Sequence, residues 1–168
     1  NFPGIFTAGT SIPTQSLAST HTSFADIDYQ DLVKIKNKVP KKYLKSNRWN
    51  IAWTMSQDVY TYIEALVDQY GRPLLKESVK KDSEETLLLG YPIEIVAGTP
   101  TTDWANVNIL AFGNFYYYLL GDRKALSFEF GYATGWFETD IQSMKANERI
   151  AGKPAFLDAF VNKKTSAT

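Results

Sequence analysis

Hydrophobic positions along this chain switch between two periods, and each switch marks an element. Acidic residues open one segment (Asp26, Asp28, Asp31), lysines close it (Lys34, Lys36, Lys38), and Tyr29, Leu32, Val33 and Ile35 lie between them. Acid at the start and base at the end complement the helix macrodipole, and Pro40 stops the run, so the pattern predicts a helix over 28–38. Trp49, Ile51 and Trp53 then alternate as one face of a buried strand over 49–55. Ser56 can cap a second helix, with Asp58 in its first turn. Val59, Tyr62, Ile63, Leu66, Val67 and Tyr70 recur at three- and four-residue steps, and Gly71 with Pro73 supplies the stop. A stripe of this kind is core, and no site is assigned to it.

The second half reads as sheet. Leu88-Leu89-Gly90-Tyr91-Pro92 joins two apolar runs through a glycine that accepts positive φ and a proline that removes a ladder donor, which predicts a kink between two strand pieces. Tyr91, Ile93 and Ile95 alternate with Glu94 and Val96, as a strand with one well-buried face should. Ile109 to Phe112 is a further strand, closed by Gly113-Asn114 as a tight turn. The run resumes from Tyr116 to Leu120, turns at Gly121-Asp122-Arg123-Lys124, and continues with Leu126, Phe128 and Phe130 alternating with Ser127 and Glu129. Tyr132, Trp136 and Phe137 lead into a segment over 141–150 whose period suits strand or helix, turned by Arg149-Ile150-Ala151-Gly152.

Residues 155–161 form a last short apolar piece, and 162–168 are expected to be a disordered tail. Residues 1–25, rich in Thr, Ser, Gly and Pro, read as an irregular or short-strand lead-in, and 98–106 as a polar connection. Residues 73–85 lose apolar periodicity and mix signs through Lys76, Glu77, Lys80, Lys81, Asp82, Glu84 and Glu85, the pattern of a mobile, solvated loop.

Composition narrows the chemistry. At 168 residues the chain is most simply one domain, able to bury roughly 70% of the surface its unfolded form exposes. The absence of cysteine excludes disulfides, thiol catalysis and thiolate metal sites. His21, the only histidine, sits among Ser and Thr and reads as a solvated loop residue, which removes most support for metal-assisted hydrolysis and Ser-His catalysis. No cofactor is expected. Eighteen basic residues balance eighteen acidic ones, so any pull on nucleic acid or an anionic membrane must be local.

The one concentration of charge (Lys34, Lys36, Lys38, Lys41, Lys42, Lys45, Arg48, with Tyr43 among them) reads as a helix end plus a solvated turn. Neither a glycine-rich phosphate cradle nor an aromatic platform accompanies it. No apolar stretch approaches the roughly 20 residues of a spanning helix, and the amino terminus lacks a signal-peptide pattern, so a soluble, cytoplasmically made chain is expected. Asn1-Phe2-Pro3-Gly4-Ile5 opens without a methionine in an apolar turn and is read as a cut inside a larger protein.

Short motifs taken in order resemble the tailed-bacteriophage major capsid proteins of the Hong Kong 97-type fold. Pro3-Gly4-Ile5 resembles the turn after that family's spine helix. The helix at Asp28, the Trp49 strand, the helix after Ser56 and Gly71-Arg72-Pro73 resemble the first part of its axial domain. Leu88 to Pro92 resembles its Leu-(Leu/Trp)-Gly-x-Pro strand pair, and Phe112-Gly113-Asn114 with Asp122-Arg123 its Phe-Gly-Asp and Asp-Arg motifs, with Asn114 standing where Asp is commoner. Asn147-Glu148-Arg149 and Pro154-Ala155-Phe156, continuing to Val161, resemble its returning peripheral strand.

The resemblance implies an α+β fold, an axial domain with a mixed sheet flanked by helices plus a carboxyl-terminal peripheral strand. The implied division is a lead-in from the peripheral domain over 1–25, the axial domain over 26–130, the return strand over 131–161 and the tail over 162–168. It implies a structural protein and no enzyme: a shell subunit forming pentamers and hexamers around a DNA genome by non-covalent contacts. Its partners would be copies of itself, with scaffold, maturation protease and portal proteins expected and packaged DNA met non-specifically at most. The amino-terminal arm, extended loop and spine helix would precede Asn1, so this stretch is expected to be a monomer or small oligomer by itself.

Lys76, Glu77, Lys80, Lys81, Asp82, Glu84 and Glu85 would face neighbouring copies around an axis. Some members of the family crosslink a lysine to an asparagine with the help of a glutamate; those last two positions hold Asp140 and Asn147 here, a poor acceptor and an amide that cannot act as base, so no isopeptide bond is expected. Two rival readings stand beside this one. An encapsulin-like compartment shell shares the fold, and a small hydrolase or ligand-binding domain would use carboxylates such as Asp58, Glu64 or Asp68, none of which forms a paired acid-base constellation.

Overall fold

The computed structural model describes residues 4–6, 11–17, 23–45, 50–67, 70–73, 75–77, 86–97, 99, 107–131 and 142–166. Three helices, α1 (Tyr29–Lys38), α2 (Lys41–Lys45) and α3 (Gln57–Glu64), accompany nine strands: β1 (Thr14–Ser16), β2 (Ile51–Met55), β3 (Leu75–Glu77), β4 (Thr86–Leu88), β5 (Tyr91–Ile95), β6 (Asn108–Asn114), β7 (Tyr118–Gly131), β8 (Ser143–Pro154) and β9 (Phe160–Lys164). Seven of the strands make one mixed sheet in the order β1-β9-β6-β2-β5-β4-β3, and β7 with β8 makes a separate two-stranded ribbon.

The helices begin where their caps are. Asp28 accepts a hydrogen bond from the Tyr29 amide and starts α1, which lays fully buried Leu32 and Ile35 on the core. Ser56 accepts from the Val59 amide and starts α3, with Val59 and Ile63 inward. That helix stops at Glu64, short of the predicted Tyr70. The Leu66 amide bonds back to Ile63, a tightened last turn, and Val67 bridges Pro73. Val67 and Tyr70 are exposed, so the helical spacing ran past the residues that the core covers.

β2 is the centre of the sheet, parallel to β5 and antiparallel to β6, and all five of its residues are buried. Trp53 stacks on Phe112 with ring centroids 4.3 Å apart and donates its indole N–H to the Leu88 carbonyl at 2.9 Å. Trp49 lies outside the described residues. The predicted kink at Leu88–Pro92 is a full reversal: Leu88 pairs with Tyr91, and both turn residues have positive φ (Leu89 +53°, Gly90 +87°). This is the two-residue hairpin pattern that glycine accommodates and leucine resists. The Lys36 ammonium reaches the Leu89 carbonyl at 3.3 Å and helps hold it. Part of the predicted mobile loop over 73–85 is ordered as β3, which pairs with β4 at the sheet edge.

Gly113-Asn114 closes no turn. Gly113 lies in β6 opposite Ala52 and Phe160, where a Cβ would sit 2.6 Å from both the Ala159 carbonyl oxygen and the Phe160 ring. The residue is needed for close approach of β9. Asn114, fully buried, donates its side-chain N–H to the Tyr43 carbonyl at 2.8 Å and accepts from the Tyr116 amide at 3.1 Å, capping the single turn Phe115–Tyr117. An amide can do both; an ionised aspartate can only accept.

The predicted turns at Gly121–Lys124 and Arg149–Gly152 are also absent. β7 runs straight through the first, and two register shifts between Asp122 and Ser127 absorb its extra residues as bulges. β8 continues through the second, with Tyr118 lying against Gly152. The ambiguous segment before Arg149 is therefore strand from Ser143. Tyr132, Trp136 and Phe137 lie outside the described residues.

The predicted disordered tail over 162–168 is corrected as far as Ser166. β9 enters the sheet between β1 and β6, and Asn162, Lys163, Thr165 and Ser166 are buried. Lys163 makes this possible. Its ammonium meets the buried Asp31 carboxylate at 3.0 Å and the Ser16 carbonyl at 3.2 Å, tying β9 to α1 and β1. Burial lowers its pKa from the ordinary 10.5, Asp31 opposes the fall, and Lys34 and Lys38 add to it. The amino-terminal segment is held by the same face: Asn162 and Asn108 donate side-chain N–H groups to the Ile5 and Phe6 carbonyls.

Two predictions follow from this arrangement. Asp31→Asn leaves the Lys163 ammonium buried without its carboxylate and is expected to lose about 3–5 kcal/mol near neutral pH. The folded lysine releases its proton before the unfolded one does at 10.5, so just below that value the unfolded state holds more protons and stability rises with pH. The penalty of the substitution should shrink as pH rises towards 10.5 in urea unfolding; a penalty that grows with pH contradicts the assignment. Asn114→Asp, nearly identical in shape, turns a carboxylate oxygen on the Tyr43 carbonyl and should cost about 2–3 kcal/mol; unchanged stability contradicts the role given to the amide.

Candidate assembly surfaces

The register of the ribbon sorts its side chains onto two faces. Directly opposed residues share a face, and the pairs Phe130–Met144, Phe128–Ala146 and Leu120–Gly152, with Ile150 opposite Asp122, lie on one. Glu129–Lys145, Ser127–Asn147, Lys124–Arg149 and Leu119–Lys153 lie on the other. The first face is largely apolar and carries two carboxylates, Asp122 and, between Ala146 and Ile150 in β8, Glu148; the second is largely polar and carries two cations directly opposed.

The apolar face is open. Leu120 is 74% exposed, Phe130 71%, Met144 61% and Phe128 53%. Covering a large apolar side chain fully stabilises by roughly 1.5–3 kcal/mol, so a partner laid along this face gains several kcal/mol from these residues. Each ribbon strand also has only one neighbour among the described residues, which leaves two unpaired edges.

Where the ribbon meets the sheet the packing is aromatic. Tyr43, Tyr117 and Phe156 contact one another with centroids 5.2 to 6.0 Å apart, and Phe160 meets both Phe115 and Tyr118 edge-on. Their T-shaped and tilted geometries fix the base of the ribbon.

The residues singled out from the sequence fall in three places. Lys76 and Glu77 lie on β3, the strand at one edge of the seven-stranded sheet. Lys80, Lys81, Asp82, Glu84 and Glu85 lie outside the described residues, as do Asp140, His21 and Asp68. Asn147 sits on the polar face of the ribbon, half-buried, with its carbonyl accepting from the Ser127 hydroxyl at 3.3 Å. Asp58 and Glu64 are exposed on α3 and do not line the cavity between α1, α2 and β5. Among the described residues no group of three His, Cys, Asp or Glu could hold a metal ion. The ribbon face was legible in the alternation of Leu126, Phe128 and Phe130; its exposure was not, because alternation reports a face and not what covers it.

Among the described residues, then, the ribbon has an exposed apolar face and two unpaired edges and stands beside a mixed sheet with flanking helices. The chain belongs to the phage capsid family, whose model matches residues 1–164. Among solved structures, the capsid of a native GTA particle shares 22% identity with a TM-score of 0.71, over 96% of this chain and 53% of that one. The capsid of an empty GTA particle shares 21% with a TM-score of 0.68, over 94% and 51%. A structure from Gordonia phage Cozz shares 16% with a TM-score of 0.57, over 95% and 51%. These likenesses show the Hong Kong 97-type α+β fold expected from the motifs. The chain spans about half the length of the solved chains it matches. No curated protein matches it.

Proposed function

We propose that this chain is the shell-forming part of the major capsid protein of a tailed phage or a related particle, joining pentamers and hexamers of an icosahedral shell around DNA by non-covalent contacts. The observation that carries the reading is the exposed apolar face of the ribbon in a member of the phage capsid family. A free-standing two-stranded ribbon is marginal in water, and a face that neighbours bury in every copy removes that weakness. Repetition does the rest, since a modest contact made several times per subunit suffices for a closed shell.

The charged stretch of Lys76, Glu77, Lys80, Lys81, Asp82, Glu84 and Glu85 is assigned to contacts around the symmetry axes. Opposite signs in one stretch let a lysine of one copy meet a carboxylate of the next in a head-to-tail ring. Such rim pairs contribute about 0–1 kcal/mol each, so they set register more than affinity. Asp140 and Asn147 carry no crosslink, and shell contacts remain non-covalent. The particle is assembled in the bacterial host, with scaffold, maturation protease and portal proteins as partners. The family match favours this reading over an encapsulin-like compartment.

The test is assembly in a bacterial host from the complete gene, viewed by electron microscopy. Phe128→Asp with Phe130→Asp should abolish particles while the protein stays folded by circular dichroism, and denaturing gels of unaltered particles should show single-subunit bands. Normal particles from the double variant, or covalent ladders joined at Asp140, contradict the proposal.

A further inference from the structure

Three of the lysines between Lys34 and Lys45, Lys36, Lys41 and Lys45, line one cavity. Pro40 ends α1 and α2 begins at the next residue, so the predicted solvated turn is a second helix folded beside the first. Lys36, Asn37, Lys41, Leu44, Lys45 and Tyr91 surround an open cavity of about 520 Å³ between these helices and β5. From Leu32 to Gln57 the chain contains no aspartate or glutamate. Among the described residues no carboxylate lies within ion-pair distance of Lys36, Lys38, Lys41, Lys42 or Lys45. In a chain of zero net charge this is a local, unneutralised cationic surface.

We propose that this cavity binds the phosphodiester backbone of duplex DNA, with Lys36, Lys41 and Lys45 as its phosphate contacts. Lysine ammoniums are point charges on flexible stems, suited to phosphate and indifferent to base sequence. Lys42, on α2 between Lys41 and Lys45, adds a fourth cation nearby, whereas Lys34 and Lys38 belong to the other side of α1, beside Asp31 and the Thr14 carbonyl.

Single-stranded nucleic acid is disfavoured because the one aromatic in the lining is engaged. Tyr91 packs edge-on against Phe112 at 5.2 Å and lies beneath the Lys36 ammonium at 5.6 Å, so it offers no free ring for a base. The implied orientation, this face towards packaged DNA, rests on the shell reading. The binding does not, so a failure to form particles leaves the following test intact.

Fluorescence anisotropy of a labelled short duplex with the purified chain, between about 50 and 200 mM salt, measures the site directly. Lys36→Gln/Lys41→Gln/Lys45→Gln should weaken binding by about tenfold or more and reduce the slope of log K against log salt by roughly 2–3. Lys124→Gln/Lys145→Gln/Lys153→Gln removes the same charge from the ribbon and should leave binding nearly unchanged. Two unrelated duplex sequences should bind alike, and circular dichroism should report the same fold for every variant. Equal loss in the ribbon variant, a clear sequence preference, tighter binding of polyglutamate, or full displacement by inorganic phosphate at constant ionic strength would each overturn the assignment.

Discussion

A two-stranded ribbon has no interior, and the rest of this molecule is arranged around that constraint. β7 and β8 pair over most of their length, yet they bring no second layer to bury Leu120, Phe128, Phe130 and Met144. The register places these side chains together, opposite a face of Ser127, Lys124, Lys145 and Arg149, so the ribbon is amphipathic and incomplete. A chain of this length could have folded such strands into its own sheet. It keeps them outside that sheet and anchors them through the Tyr43–Tyr117–Phe156 cluster, which leaves their apolar face exposed, the surface that the proposed shell contacts would bury.

That arrangement needs a sheet that does not yield at its root. β9 follows the ribbon after the single turn Leu157–Ala159 and is inserted between β1 and β6, so the ribbon is joined to the interior of the sheet. Three features fix it there. Gly113 lets the Phe160 ring approach β6, Asn114 ties the end of β6 to the carbonyl of Tyr43, and the Lys163–Asp31 pair fastens β9 to α1 from within the core. The pair is costly to bury and is met by a second acceptor, the Ser16 carbonyl, which fixes one register for β1 beside β9.

The first helix, the cap of α3 and the central strand were legible in the sequence because their chemistry is local: the acid-to-base run from Asp28 to Lys38, Ser56 and the run from Ile51 to Met55 need no distant partner to be recognised. The misreadings share a cause. Gly113-Asn114, Gly121–Lys124 and Arg149–Gly152 carry turn residues, but glycine also serves close packing and polar stretches also serve bulges, and only the facing strand decides which. Residues 162–166 looked like a solvated tail because Lys163 is charged, and its neutralising partner lies 132 positions away. The helix after Ser56 was drawn too long because Val67 and Tyr70 continue the spacing without reaching the core. Of the candidate site, the apolar alternation in β7 was visible and the lysine concentration was visible; that one face is bare and that the lysines wall a cavity depend on the tertiary arrangement.

The central claim is that the ribbon's apolar face is an interface in the assembled shell. These 168 residues contain no cysteine, so a single Phe128→Cys substitution, measured against the unsubstituted protein, reports on one position of that face. Maleimide labelling of this variant, compared between assembled particles and the isolated chain, is the most direct measurement. The account predicts rapid labelling of the isolated chain and strong protection in particles; equal labelling rates in the two would contradict it.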